Sequence, residues 1–211
     1  MSTTKKSIII ISIALALILC LAGFTSLDKN YKDYSYQVYR GNMELKFQQS
    51  KGQLVDEIDK YIKSVAPNSI LNARILLETC DEYNIDIKFV LAQGHIESHF
   101  GTKGMALKTN SVFNVLAYDG KSYDQICKKG KYSHPDHSIK PYLELLVNDY
   151  MVEGKSEYDL LDNFINKNGD RYASALDYER KLNNTFINIS DSTNIDELYK
   201  QYRKYQMLSG V

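Results

Sequence analysis

The stretch "LAQGHIESHFGTKG", residues 91–104, sets a glutamate among apolar and small residues and then breaks the chain with Gly101 and Gly104. Phe89, Ile96 and Phe100 flank Glu97, and no Lys or Arg lies within four residues of it. The apolar run beginning at Ile87 predicts a helix to about His99 that stops at Gly101, which places Glu97 in the last turn. Two effects there push a carboxyl pKa upward. Apolar neighbours disfavour the charged form, and the partial negative charge of a helix C-terminus disfavours another anion. A carboxylic acid still protonated near neutral pH is what general-acid cleavage of a glycosidic bond requires. By spacing alone, a solvent-exposed terminal glutamate fits the same residues.

Working outward, the composition narrows the class. The chain has 211 residues, with Lys+Arg and Asp+Glu both 26 and no formal net charge. That balance argues against a nucleic-acid partner held by phosphate neutralisation. The charged and hydrophobic fractions, 25% and 44%, are those of a folded protein. Tyrosine is overused, with 17 Tyr against 7 Phe and no Trp. Amphipathic rings suit a carbohydrate-binding surface, although a generally tyrosine-rich core and surface explains the same count.

At the N-terminus, Lys5 and Lys6 precede the uncharged run Ser7 to Phe24. A bilayer core takes roughly 20 apolar residues, so this run sits at the short edge of a membrane helix. A positive flank keeps the N-terminus in the cytoplasm and sends the rest of the chain outside it. The segment reads as an uncleaved signal anchor, with a cleaved signal as the alternative. A lipoprotein site at Cys20 is disfavoured by Leu19, where a small residue is expected. Each version puts the working domain outside the cytoplasm, membrane-anchored or secreted, in the cell envelope. Cys80 and Cys127 are the one possible bridge outside that run, and two unpaired thiols are the default.

The chain divides into residues 1–24 as anchor, 25–50 as a polar, tyrosine-studded stalk, and 51–211 as the working domain. Leu54, Ile58, Tyr61 and Ile62 form a helical stripe. Asn68 or Ser69 offers an N-cap to the next helix, which carries Ile70, Ala73, Leu77 and Cys80. Residues 102–137 hold Gly104, Gly120, Gly130 and Pro135 and read as loops with a small β-hairpin. Helix resumes where Ile139, Leu143, Leu146 and Tyr150 share a face, with Pro141 tolerated in the first turn. Further helices are expected over about 157–166, 174–189 and 194–205. The expected class is mainly α.

Several segments together resemble a known family. "VLAQGHIESHFGT" is similar to the A-Q-x-x-x-E-S-x-x-G-T segment of the peptidoglycan N-acetylglucosaminidases of glycoside hydrolase family 73, the flagellar-rod and autolysin group. "TNSVFNVLAYDG" resembles that family's x-N-N-x-F-G-I-x-A-Y-D-S, with Asn114 standing where glycine is usual. "KYSHPDHSIKPYLELL" aligns with its x-Y-x-S-x-x-x-S-x-x-D-Y-x-x-L-L, with Pro141 in place of the common aspartate. "DRYASALDYERKL" resembles G-Y-A-T-D-x-x-Y-x-x-K-L and supplies Tyr172, Tyr178, Lys181 and Leu182. The resemblance covers about residues 53–190 and implies a lysozyme-like helical domain.

It also implies roles. Glu97 aligns with the general acid that protonates the leaving glycosidic oxygen. The second carboxylate falls first to Asp119, in "AYDG", with Asp124 and Asp136 as fallbacks. Tyr172 aligns with a tyrosine that hydrogen-bonds the sugar at the cleavage subsite. Tyr118, Tyr132, Asn110 and Phe113 complete the expected substrate-binding set, with a core role equally open for Tyr132 and Tyr142. No cofactor is implied. His95 and His99 have a zinc-compatible spacing, but "HIESH" is not H-E-x-x-H, and "HPDH" (134–137) reads better as a polar turn than as a metal site. The partners implied are peptidoglycan glycan strands and, through the N-terminal helix, the membrane.

Three functions remain open. One is an endo-β-N-acetylglucosaminidase acting on peptidoglycan. Another is a lytic transglycosylase or muramidase using the same acid, the former needing no second carboxylate. The third is a non-catalytic glycan-binding envelope or phage module, against which the intact Glu97–Ser98 pair counts.

Overall fold

A computed structural model describes residues 3–115 and 130–210, with side chains described from residue 31 onward. The expected positions Tyr118, Asp119, Asp124 and Cys127 lie outside the described residues. So do the side chains of the expected membrane segment, Ser7 to Phe24. Among the described residues, no helix is long and apolar enough to cross a membrane.

The fold is mainly helical. Helix α1 runs Thr3–Val65, so the stalk segment is itself helical. The other helices are α2 (Ala73–Tyr83), α3 (Ile87–Ser98), the short α4 (Ala106–Thr109), α5 (Ile139–Leu145), the one-turn α6 (Glu157–Leu160), α7 (Tyr178–Ser192) and α8 (Ile195–Ser209). A 3₁₀ turn (Pro135–Ser138) precedes α5, and a π-helical turn (Leu146–Tyr150) extends it. Among the described residues there is no strand, and the expected hairpin is absent from them. The one β feature is an isolated antiparallel bridge between Ile165 and Arg171.

Two compact units make up the chain. One comprises Met1–Gln49 with Arg203–Val211. In it Met43 and Phe47 are buried, Tyr31 and Tyr34 are exposed, and the Lys46 ammonium stands 5.7 Å from the Tyr205 ring centroid. The other, Ser50–Tyr202, holds the main core. Leu54, Ile58 and Ile62 of α1, Leu76 and Leu77 of α2 and Phe89 to Ala92 of α3 are fully or almost fully buried there. Burying side chains of this size stabilises by about 1.5–3 kcal/mol each.

Local signals explain most boundaries, and tertiary contacts shift the rest. The N-cap of α2 is Asn72 rather than Asn68 or Ser69: its side chain accepts from the Arg74 and Ile75 amides at 3.0 and 3.2 Å. Ser69 is turned elsewhere, its hydroxyl donating to the Phe100 carbonyl at 2.7 Å. Ile70, expected inside that helix, precedes it and is exposed. Asn84, left-handed at φ 52°, ends α2, and the Asp86 carboxylate caps α3 by accepting from the Lys88 amide. Helix α6 stops after one turn instead of continuing to residue 166, because the chain turns so that the Phe164 carbonyl accepts from the Tyr172 amide at 2.9 Å. Cys80 is a buried free thiol.

Candidate active site

Helix α3 packs most extensively against α7, and this pairing builds the site. Gly94 permits the approach of two rings to α3. A Cβ placed there would lie 3.1 Å from Phe100 ring carbons and 3.4 Å from one of Phe113. Phe113 in turn stacks on Tyr142 of α5, with ring centroids 4.0 Å apart. Beyond the helix, His99 and Phe100 are left-handed and Gly101 has φ 86°. The Ser98 hydroxyl donates to the Val112 carbonyl at 2.6 Å and accepts from the Gly101 amide at 2.8 Å. The serine after the glutamate thus ties the end of α3 to the loop that returns over it.

Glu97, half-buried in the last turn of α3, faces a cleft of about 630 Å³. Its surroundings also include Phe113, Asn114, Asp149, Tyr150, Asp170, Arg171 and Tyr172. The Tyr178 hydroxyl donates to Glu97 Oε1. The Asn114 amide donates to the Glu97 carbonyl at 2.8 Å and to Oε2 at 3.1 Å. No cation is paired with the carboxylate among the described residues. Burial pushes its pKa above the ordinary carboxylate range, and the Tyr178 and Asn114 donors oppose that rise without cancelling it.

Tyr178 is itself held. The Gln93 amide donates to its hydroxyl, and the Tyr142 hydroxyl donates to Gln93 Oε1. Gln93 and Glu97, one turn apart on α3, lie on the same face of the helix. Gln93 is fully buried, and both ends of its amide are satisfied by tyrosines from other elements. With Gln93 Oε1 occupied by Tyr142, the amide nitrogen must face Tyr178. The Tyr178 hydroxyl therefore spends its one proton on Glu97.

The other expected residues divide. Phe113 and Tyr172 line the cleft with Glu97, but the Tyr172 hydroxyl donates to the Phe113 carbonyl at 2.9 Å and its ring stacks on Phe164. Asn110 and Tyr132 do not line the cleft. The Asn110 amide donates to the Tyr132 carbonyl at 2.9 Å, and the Tyr132 amide donates to the Thr109 carbonyl at 2.7 Å, so the pair fastens the loop. The fallback Asp136 is committed to structure, its carboxylate accepting from the Asn72 amide at 2.8 Å with the His134 ring 3.1 Å away. His95 turns from the cleft, its Nδ1 2.8 Å from the Tyr61 hydroxyl.

Sequence reasoning did not single out Gln93, Asp149, Asp170 or Arg171. Asp149 pairs with Lys167 at 2.7 Å, and Arg171 pairs with Glu179. Asp170 is exposed and accepts from the Asn166 amide at 3.3 Å. The "AQ" of the motif was the available signal for Gln93; nothing local marked the others.

Among curated proteins, none matches the chain. Residues 73–191 match the model of the family named glucosaminidase and described as mannosyl-glycoprotein endo-beta-N-acetylglucosaminidase. That span is more than half of the 211 residues and contains Gln93, Glu97, Asn114, Tyr142, Tyr172 and Tyr178. The chain belongs to the glucosaminidase family.

Proposed function

We propose that the chain is a peptidoglycan endo-β-N-acetylglucosaminidase in which Glu97 protonates the glycosidic oxygen leaving the sugar. Family membership makes it a glycoside hydrolase. The observation that carries the finer reading is Glu97 itself: a half-buried carboxyl in a cleft, with no cationic partner among the described residues and a pKa raised by burial. Such a group keeps its proton to higher pH than a solvated carboxylate and can donate it as the bond breaks. Asp119 remains the proposed second carboxylate, as a base or anion beside the oxocarbenium-like centre. Phe113 and Tyr172 are proposed as sugar-contacting walls.

The anchor proposal rests on sequence. Lys5 and Lys6 ahead of the uncharged run Ser7–Phe24 favour a helix that holds the chain at the membrane with residues 51–211 outside the cytoplasm. Peptidoglycan is the glycan polymer found there. The test is mass spectrometry of products from purified sacculi, with and without borohydride reduction. Reducing N-acetylglucosamine ends are the expected result. Reducing N-acetylmuramic ends would make the enzyme a muramidase, and anhydro ends a lytic transglycosylase.

A further inference from the structure

The residue family resemblance leaves out of place is Asn114, which stands where glycine is usual. Its backbone is left-handed, with φ 50°. Glycine adopts that conformation without cost, and asparagine is among the few residues with a Cβ that adopt it readily. The side chain that a glycine would lack is turned onto the acid. Nδ2 lies 2.8 Å from the Glu97 carbonyl oxygen and 3.1 Å from Oε2. Both atoms are acceptors, so the amide nitrogen and not the amide oxygen must face them. The cost is visible on the other side, where Asn114 Oδ1 is buried with no hydrogen-bond partner among the described residues.

We propose that Asn114 is a positioning residue for the acid, a clamp that fixes the Glu97 carboxyl against the end of its own helix and skews the enzyme toward acidic working pH. This rests on Glu97 being the acid. One amide nitrogen bridging backbone and carboxyl of the same residue restricts the side-chain torsions that would swing the carboxyl out of line. With Tyr178 on Oε1 and Asn114 on Oε2, both oxygens have donors, so orientation is set from two sides. Donors to a carboxylate favour its ionised form, so each makes Glu97 a stronger acid than burial alone would. The protonated, active form then persists over a narrower range on the alkaline side.

Among the described residues, the charged and titratable groups facing Glu97 from packed elements are Tyr178 on α7, Tyr142 on α5 and, around the cleft, Asp149, Tyr150, Asp170, Arg171 and Tyr172. Tyr178 donates to it, and Asp149 and Arg171 already have ion-pair partners. Asn114 is the one neutral amide that donates to the carboxyl among the described residues, and the one such donor a glycine would remove.

The experiment is the pH profile of kcat/KM on soluble uncrosslinked glycan strands for wild type, Asn114→Gly, Asn114→Asp and Glu97→Gln. Glycine accepts the φ of position 114, so Asn114→Gly retains the backbone. Asn114→Asp keeps the shape but exchanges the donor for an acceptor that becomes an anion. Both variants should move the alkaline limb to higher pH, Asp further than Gly, with a plateau lowered about 10- to 100-fold by lost orientation. A lowered plateau with the limb unmoved in both variants would mean that Asn114 serves only the loop fold and would overturn the proposal. A limb displaced to lower pH would overturn it too. If Glu97→Gln retains activity, the acid assignment falls and the clamp with it; if Glu97→Gln is inactive and the limb is unmoved, only the clamp falls.

Discussion

Replacing Tyr178 by phenylalanine removes one oxygen from the centre of a buried relay. The Gln93 amide then loses the hydroxyl it donates to, and Glu97 Oε1 loses its donor. Gln93 is fully buried, so water does not replace the lost acceptor without rearrangement. An orphaned buried donor costs about 1–3 kcal/mol. For a domain of this size each kcal/mol lowers Tm by about 2–4 °C, so the expected fall is about 2–12 °C. The effect on chemistry has a definite sign. Tyr178 opposes the burial-driven rise in the Glu97 pKa, so its loss lets the pKa rise further and carries the alkaline limb of kcat/KM upward. Thermal melts and a pH–rate profile measure both. Combining Tyr178→Phe with Gln93→Met removes the orphaned amide, so the second change should cost less than it does alone, with a coupling of about 0.5–3 kcal/mol. Additive melting losses, or a limb that moves to lower pH in Tyr178→Phe, would refute the relay.

Other consequences are simpler. Gly94→Ala should lower Tm although alanine is the better helix former by about 1 kcal/mol, because the added Cβ would lie 3.1 Å from the buried Phe100 ring and overpacking costs about 1–3 kcal/mol; a higher Tm would show that the rings can shift. Asn72→Ala should cost about 1 kcal/mol in denaturant unfolding through the lost cap of α2, and an unchanged midpoint would contradict it. Glu97 makes stability depend on pH. Because its folded pKa lies above the unfolded one, the folded state binds the proton more tightly, and stability falls as pH rises from the unfolded pKa through the folded one. The Tm difference between Glu97→Gln and wild type should therefore move in the variant's favour as pH is raised from acid to neutral. A difference constant with pH would mean that burial does not perturb this carboxyl.

What was legible in the sequence follows from range. The helix carrying Glu97 and its stop at Gly101 rest on local periodicity and glycine, and residues 87–98 form α3. The α-helical state of residues 25–50 is not evident, since residues 31–42 are all exposed and Met43 and Phe47, the buried apolar pair, are too few to leave a sustained periodic trace. The choice of Asn72 over Ser69 as cap depends on Phe100 and Asp136, contacts that no local window contains. Gln93 reads locally as a polar residue in an apolar helix; its meaning comes from Tyr142 and Tyr178, distant in sequence and adjacent in the fold. Asp149 and Asp170 reach the cleft through the π-turn after α5 and the turn closed by the Ile165–Arg171 bridge, neither of which has a periodic signature.

Whether Glu97 is the acid is tested most directly by the rate of Glu97→Gln on purified sacculi, measured beside a melt showing that the variant is folded. The amide preserves the size of the side chain and cannot release the acid proton. The expected result is a loss of about 10²–10⁴-fold in rate with a folded protein. A folded variant that keeps more than about a tenth of wild-type activity would contradict Glu97 as the acid, since that loss falls well short of what a general acid contributes.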